Sequence, residues 1–306
     1  MAEPLTSDDP RELGSYELVG RLGAGGMGVV YLGRTQQGEP VAIKVIQSDH
    51  ARDPDFRTRF RRELAVTRRV SGYFIAHVLD ADLDADPPYF VTEFIPGDTL
   101  HDRVEREGPM RGDGLFALAA GVATGLAEMH ELGVAHRDIK PTNVVLSPEG
   151  PKIVDLGIAQ TPDATRITRP GTTIGTPAWM SPEHAQGGHI GMRTDVFAWA
   201  SLVYYAATGS PPFGTGRSEA VLYRVVHEEA DTSQIDPPLR VLLDAALRKE
   251  PAERPTALQL AAELTDAEPD LATTRAVAAT MLQRAQLAQT VPTPLARPRR
   301  DGPEVT

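Results

Sequence analysis

The segment His136-Arg137-Asp138-Ile139-Lys140-Pro141-Thr142-Asn143 concentrates a carboxylate, cationic side chains and a carboxamide within eight residues. Polar loops are often no more than solvated turns. Here a second carboxylate follows in Asp155-Leu156-Gly157, after two short apolar runs, VVL and KIVDL, separated by Ser147-Pro148-Glu149-Gly150. A hairpin of that shape brings its ends together and predicts that Asn143 and Asp155 are neighbours. Such an oxygen-rich pair suits Mg2+, which takes few protein oxygens and completes its shell with water and substrate phosphates.

Gly23-Ala24-Gly25-Gly26-Met27-Gly28 fits the pattern G-x-G-x-x-G, in which glycines let backbone amides approach a polyphosphate without side-chain obstruction. Alone the pattern serves a dinucleotide fold, a phosphate-covering hairpin or a plain turn. A dinucleotide fold needs a helix straight after the glycines, whereas strand-like Val29-Val30-Tyr31-Leu32 follows. No Lys-Ser or Lys-Thr closes the run as a P-loop requires.

In VAIKVI, strand alternation puts Ala42, Lys44 and Ile46 on one face and Val41, Ile43 and Val45 on the other. A lone lysine on an apolar face can be an edge residue that snorkels to water. Glu63, however, falls within the apolar stripe of the next helix, seven residues after Phe56 and three after Phe60, where an unpaired charge is costly. A Lys44–Glu63 pair is therefore expected, holding the ammonium against nucleotide phosphates.

The elements that must position these groups are legible in outline. YELVGRL, GVVYLGR, PVAIKVI and PYFVTEF are rich in β-branched and aromatic residues and predict a small antiparallel sheet. One helix interrupts it, with Phe56, Phe60, Leu64, Thr67 and Val70 on one face and seven arginines between Arg52 and Arg69 mainly on the rest. Beyond Pro96 and Gly97 helical patterns dominate. A helix from Leu115 to His130 is expected to stop at Gly133.

Composition narrows the classes. With 306 residues, 41% hydrophobic and 24% charged, the chain can bury a sizeable core. A net charge of −11 argues against a general nucleic-acid binder. The absence of cysteine excludes disulfides, thiolate metal sites and a cysteine nucleophile, and favours a cytoplasmic setting. Its apolar stretches are too short for a membrane span. Residues 1–15 read as a flexible lead-in, and from Asp266 the chain turns to Ala, Thr, Pro and Arg, which cannot fold alone.

Taken in order, these motifs resemble those of bacterial, eukaryotic-like (Hanks-type) Ser/Thr protein kinases. LGAGGMGVVY is similar to the glycine-rich loop, VAIK to the phosphate-binding strand, HRDIKPTN to the catalytic loop and DLGIA to the metal-binding segment. GTPAWMSPE resembles the end of the activation segment, DVFAWA the buried central helix and KEPAERPT the region whose arginine meets that segment's glutamate. The resemblance covers about 250 residues. It implies an α+β fold with two lobes: a small antiparallel-sheet lobe with one helix at 16–95, a larger helical lobe at 96–265, and a tail or juxtamembrane-type linker at 266–306.

The resemblance also implies roles. Leu22, Gly23, Ala24, Gly25, Gly26, Met27 and Gly28 would cover ATP; Val30 and Ala42 would flank adenine, with Thr92 as gatekeeper and Glu93 to Ile95 as hinge. Lys44 would hold the α- and β-phosphates and Glu63 would anchor it. Asp138 would accept the substrate hydroxyl's proton, Lys140 would stabilise the transferring group, and Asn143 and Asp155 would bind Mg2+ or Mn2+. Glu183 with Arg254, and Asp195 with the catalytic-loop backbone, are structural; Thr176 would bridge substrate docking to the catalytic loop. Arg137 before the catalytic aspartate implies activation by phosphorylation at Thr168, Thr172 or Thr173. Implied partners are protein substrates, the chain itself and a second copy as a homodimer, with membrane tethering if the natural chain continues past residue 306.

Some positions depart from the family pattern. Leu156 stands where phenylalanine is usual, Ala200 for a common glycine, Ser181 for the first residue of A-P-E, and polar Thr67 where many kinases place an apolar residue. None removes a reacting group. Two alternatives remain: a pseudokinase scaffold, disfavoured by the presence of Lys44, Asp138, Asn143 and Asp155, and a small-molecule kinase, disfavoured by an intact Gly175-Thr176-Pro177 to Ser181-Pro182-Glu183 stretch.

Overall fold

A computed structural model describes residues 2–25, 28–46, 54–70, 72–155 and 177–290. The first lobe is a six-stranded antiparallel sheet in the order β1-β2-β3-β4-β6-β5. Its strands are β1 (Glu12–Leu13), β2 (Tyr16–Gly25), β3 (Gly28–Arg34), β4 (Pro40–Ile46), β5 (Val78–Asp82) and β6 (Tyr89–Glu93). One helix, α1 (Pro54–Thr67), crosses from β4 towards β5. Its Phe60 and Leu64 are buried together with Thr67 and Val70; the side chain of Phe56 lies outside the description.

Alternation along β4 divides the core. Val41 and Ile43 pack with Leu18, Tyr31, Tyr89 and Val91 on the outer side of the sheet. Ile46, on the face shared with Lys44, joins Phe60, Leu64 and Phe90 in a core continuous with the second lobe. That second lobe is built on α3 (Gly112–Glu131) and α5 (Met192–Thr208), both buried almost all round. A helix apolar on every side must be enclosed by other elements. Here these are α7 (Pro237–Ala246), α8 (Ala257–Thr265) and a three-stranded sheet β7-β8-β9, with β7 at Asp98–Thr99, β8 at Val144–Ser147 and β9 at Gly150–Ile153. Short α2 (Leu100–Glu107) begins at Thr99, whose side chain accepts from the Asp102 N–H, and α4 (Pro182–Ala185) and α6 (Ser218–His227) complete the lobe. Gly133, just beyond α3, has φ +77°, a left-handed conformation that ends the helix.

Two segments differ from the sequence expectation. Residues 2–15 were expected to be a flexible lead-in, yet Glu3 bridges Arg21 and β1 pairs with β2. The buried Asp9 carboxylate accepts from Arg21 at 2.7 Å and from the Tyr31 hydroxyl at 2.6 Å. Arg21 holds the Asp9 carboxyl well below the usual carboxylate range. Within the expected tail, Leu271–Thr290 forms a helix, α9, packed on α3 and α8. Its composition supplies no core of its own, and it uses the large lobe's instead. Among the described residues no helix is long and apolar enough to cross a membrane.

Candidate active site

The catalytic loop is fixed from below by α5. The Asp195 carboxylate, wholly buried, accepts from the His136 N–H at 2.8 Å, from the Arg137 N–H at 2.7 Å and contacts His130 Nε2 at 2.8 Å. A carboxylate taken from water must have its acceptor sites filled in this way. His136 is itself buried, with Nδ1 accepting from the Asp138 N–H and Nε2 at 3.3 Å from the Val154 carbonyl. Burial pushes its pKa down, partly opposed by Asp195 and Asp138, and the neutral ring links the loop to the strand leading to Asp155.

On this base the side chains singled out in the sequence converge. Lys140 Nζ donates to Asp138 Oδ2 at 2.7 Å; Asn143 Nδ2 donates to the Asp138 carbonyl at 2.9 Å and to its Oδ2 at 3.2 Å. The Asn143 carboxamide oxygen lies 3.5 Å from the Thr142 hydroxyl. The hairpin register pairs Val144 with Ile153, and the Val154 N–H donates to the Asn143 carbonyl at 2.9 Å. Asn143 and Asp155 are thereby held side by side. Arg137 and Asp155 have φ of +67° and +59°, a region that side chains other than glycine adopt at a cost. Such strain is maintained where surrounding bonds dictate the backbone.

The sheet lobe supplies the roof. Val30 lies across from Lys44, Leu32 from Ala42, and Ala42 from Thr92. Among the described residues nothing stands within 4 Å of where a Cβ at Gly23 or Gly25 would lie, so the β2 backbone there can approach a polyphosphate. Leu22, Ala24 and Gly28 lie on the same β2–β3 hairpin, whose Gly26 and Met27 fall outside the described residues. Glu93 ends β6 and gives its N–H to the His77 carbonyl, while Ile95 lies in the irregular stretch before β7.

One expectation is corrected. Lys44, expected to pair with Glu63, forms its ion pair with Asp155. Glu63 instead accepts from Arg137 Nη1 at 2.6 Å. Sequence spacing placed both charges in apolar surroundings but could not choose between partners. The choice is made by how α1 lies against the large lobe. Below α1, a cavity of about 200 Å3 is lined by Val66, Thr67, Met129, Leu132 and Arg137 among others. Arg61 and Arg68, on the helix's outer side, reach Asp84 and Asp80 of the β5–β6 region and not the catalytic loop.

Farther down, Arg254 donates to both Glu183 oxygens, at 2.8 and 2.7 Å, and to the carbonyls of Arg193, Arg248 and Lys249. Burial would raise the Glu183 pKa, but the Arg254 bonds bring it below the ordinary value. Ser181 accepts from the His184 N–H and starts α4. Leu156, Thr168, Thr172, Thr173 and Thr176 lie outside the described residues.

A glycine-lined sheet lobe above an aspartate, lysine and asparagine on one loop, with a second carboxylate adjoining, defines a two-lobed phosphotransferase class. Residues 16–264 match the family model described as protein kinase domain, and the chain belongs to that family. It is 43% identical over 264 residues to the probable serine/threonine-protein kinase PkwA of Thermomonospora curvata, covering 86% of this chain and 36% of that protein. It is 41% identical to the serine/threonine-protein kinase AfsK of Streptomyces coelicolor, over 86% of this chain and 33% of AfsK. To the serine/threonine-protein kinase PknB of Mycobacterium leprae it is 38% identical, over 81% of this chain and 42% of PknB. The chain thus spans about a third of the length of the first two of these relatives.

Proposed function

We propose that the chain transfers the γ-phosphoryl group of ATP to serine or threonine hydroxyls of proteins. The observation that carries this is the Asp138 carboxylate, bonded to Lys140 and Asn143 and joined through the Val154–Asn143 backbone bond to Asp155. The acceptor oxygen bonds to the γ-phosphorus as the bond to the β–γ bridging oxygen breaks. Asp138 takes the hydroxyl proton, and ADP leaves with the bridging electron pair. Lys140, already beside Asp138, faces the negative charge that gathers on the transferring group.

Asn143 and Asp155 would hold Mg2+ or Mn2+, which supplies neutralisation of phosphate charge. The donor set suits a hard cation: one carboxamide oxygen and one carboxylate, leaving positions for phosphate and water. The Lys44–Asp155 pair fits the same reading, since phosphates can take over the ammonium while the cation takes over the carboxylate.

Serine and threonine acceptors are favoured by Lys140 two residues after Asp138 and by Thr176. Thr168, Thr172 and Thr173 are the proposed activating autophosphorylation sites, with a second copy of the chain as a natural substrate. The test is incubation with Mg-ATP or Mn-ATP and an array of Ser, Thr and Tyr peptides, with mass spectrometry of the chain itself. Phosphoserine and phosphothreonine are expected. A product dominated by phosphotyrosine, or transfer only to small molecules, overturns the assignment.

A further inference from the structure

The helix α9 begins seven residues after the family match ends at residue 264. It is nonetheless built into the large lobe. Thr274, Ala278, Leu282 and Ala285 are buried at spacings of four, four and three residues, a continuous stripe along one helix face. Arg275 Nη1 lies 3.4 Å from Oε1 of Glu128 on α3. Glu128 is a carboxylate 7% exposed, and burial raises its pKa, while Arg275 and Lys152 oppose that rise. Its other oxygen has no hydrogen-bond partner among the described residues and abuts Gly72, where a Cβ would stand 1.9 Å away.

The far end of α9 meets the β8–β9 turn. Gly150 has φ +128°, and a Cβ there would stand 2.5 Å from Leu282 Cδ1, so glycine admits the helix. Gln286 Nε2 donates to the Pro148 carbonyl. From the opposite direction the Tyr73 hydroxyl donates to the Glu149 carbonyl at 2.9 Å, and Lys152 lies 4.8 Å over the Tyr73 ring. The loop after α1 then continues the contact. Ile153 N–H donates to the Phe74 carbonyl at 2.8 Å, and Ala76 N–H donates to the Ile153 carbonyl at 2.9 Å. Two residues beyond Ile153 stands Asp155.

From this chain of contacts we propose that α9 is an appended brace and that Leu282, Gln286 and Arg275 are positioning residues for Asp155. Through β9 and the Tyr73–Ala76 loop, the same brace acts on the base of α1. None of the three touches a reacting group. Leu282 and Gln286 act through a turn held on two sides, so loosening one side frees the strand that carries the metal-side carboxylate, while Arg275 holds α9 to α3 through Glu128.

The test compares wild type with Leu282→Asp, Gln286→Ala and Leu282→Met by amide hydrogen exchange and by steady-state kinetics. In Leu282→Asp, exchange at Ala76, Ile153 and Val154 is expected to quicken by at least about fivefold, with amides of α5 and α7 unchanged. KM for Mg-ATP is expected to rise more than kcat falls. Gln286→Ala, which removes one exposed contact, should shift the same amides less, and Leu282→Met should restore them. Should Leu282→Asp fail to fold, the Gln286→Ala and Leu282→Met pair decides. Exchange changes confined to α9, α3 and α8, with KM unmoved, overturn the proposal. The kinetic arm rests on the ATP reading above; the exchange arm does not, so the two can fail separately.

Discussion

The catalytic loop and α1 both present charged side chains to one cleft, yet they are held in different ways. Around the loop every buried charge has several partners: Asp195 accepts two backbone N–H groups besides meeting His130, and Arg254 donates to a carboxylate and three carbonyls. On α1, by contrast, the Glu63 carboxylate meets Arg137 among the described residues, both side chains about a third exposed. Arg61 and Arg68 make surface pairs that contribute little. The difference separates two tasks. The groups proposed to take the proton and place the metal stand on a many-bonded base, whereas the charged contact from α1 to that base is a partly exposed pair, Glu63 with Arg137.

The fixed half should be the easiest to break. Arg254→Ala leaves the largely enclosed Glu183 carboxylate with the Thr194 hydroxyl and a backbone N–H but no cation, and strands three carbonyls. Removing one partner of a buried pair costs about 3–5 kcal/mol, and chemical denaturation should show it. Adding Glu183→Gln should recover part of the loss, because the orphaned charge goes with it. A single-variant cost below about 1 kcal/mol would mean that this region is no firmer than α1.

Asp138→Asn tests the same half through chemistry, and Lys44→Met tests the sheet lobe that faces it. Each removes a group proposed to meet transition-state charge or the transferred proton, with an expected cost on the order of 3 kcal/mol or more, about a hundredfold or greater in rate. Folding should be nearly untouched for Asp138→Asn, whose side chain remains able to meet Lys140. Single-turnover rates close to wild type would remove Asp138 or Lys44 from its assigned role.

How far these two halves were legible in the sequence follows from the range of the contacts. The Asn143–Asp155 adjacency could be read because a four-residue turn leaves a hairpin no other way to close. The buried character of α3 and α5 could be read from unbroken apolar runs. The Glu63–Arg137 pair could not, because residues 74 apart in sequence meet only once α1 has taken its place on the large lobe. The same holds for Asp9 with Arg21 and Tyr31: an acidic, polar beginning looks unstructured until the strand that binds it is known. For α9, alanine and threonine spacing is a weak signal, and Gly150 explains its docking only in three dimensions.

A third prediction concerns pH. Burial lowers the pKa of His136, and also that of His184, against smaller opposing effects of Asp138 and neighbouring carboxylates. Each ring binds a proton more readily unfolded than folded. Stability from this source is therefore complete above the ordinary histidine value near 6.5 and falls as the pH drops below it. The slope should approach about 1.4 kcal/mol per pH unit for each histidine until the folded value is reached. Glu183, lowered in the folded state, adds a separate loss below about 4.5. His184→Gln should flatten the first window in a series of denaturation curves from pH 8 to 5. An unchanged slope would show that His184 is not the ring being titrated.

The smallest effect on stability sharpens the comparison most. Glu63 and Arg137 are 2.6 Å apart, but with side chains 32% and 28% exposed the pair is screened by water, and breaking it should cost no more than about 1 kcal/mol. Its effect on rate should be out of proportion. If Arg137 is shared between Glu63 and a phosphorylated threonine, a phosphate carrying nearly two charges competes for the guanidinium and leaves the Glu63 carboxylate to meet Lys44. Within α1 the Thr67 hydroxyl donates to the Glu63 carbonyl at 2.8 Å, so this buried polar group is already satisfied. Wild type incubated with Mg-ATP should then outpace phosphatase-treated enzyme by about tenfold or more, the ratio that a differential of about 1.4 kcal/mol produces. In Glu63→Gln both preparations should be slow if, once Arg137 is drawn to the phosphate, it is the Glu63 carboxylate that meets Lys44. In Arg137→Ala the ratio should fall towards one, because the phosphate has lost its guanidinium. Denaturation curves of Glu63→Gln should stay close to wild type throughout, which separates loss of alignment from loss of fold. Equal initial rates of the two wild-type preparations would leave the Arg137–Glu63 pair as a structural contact, and α1 would then be as fixed as the loop beneath it.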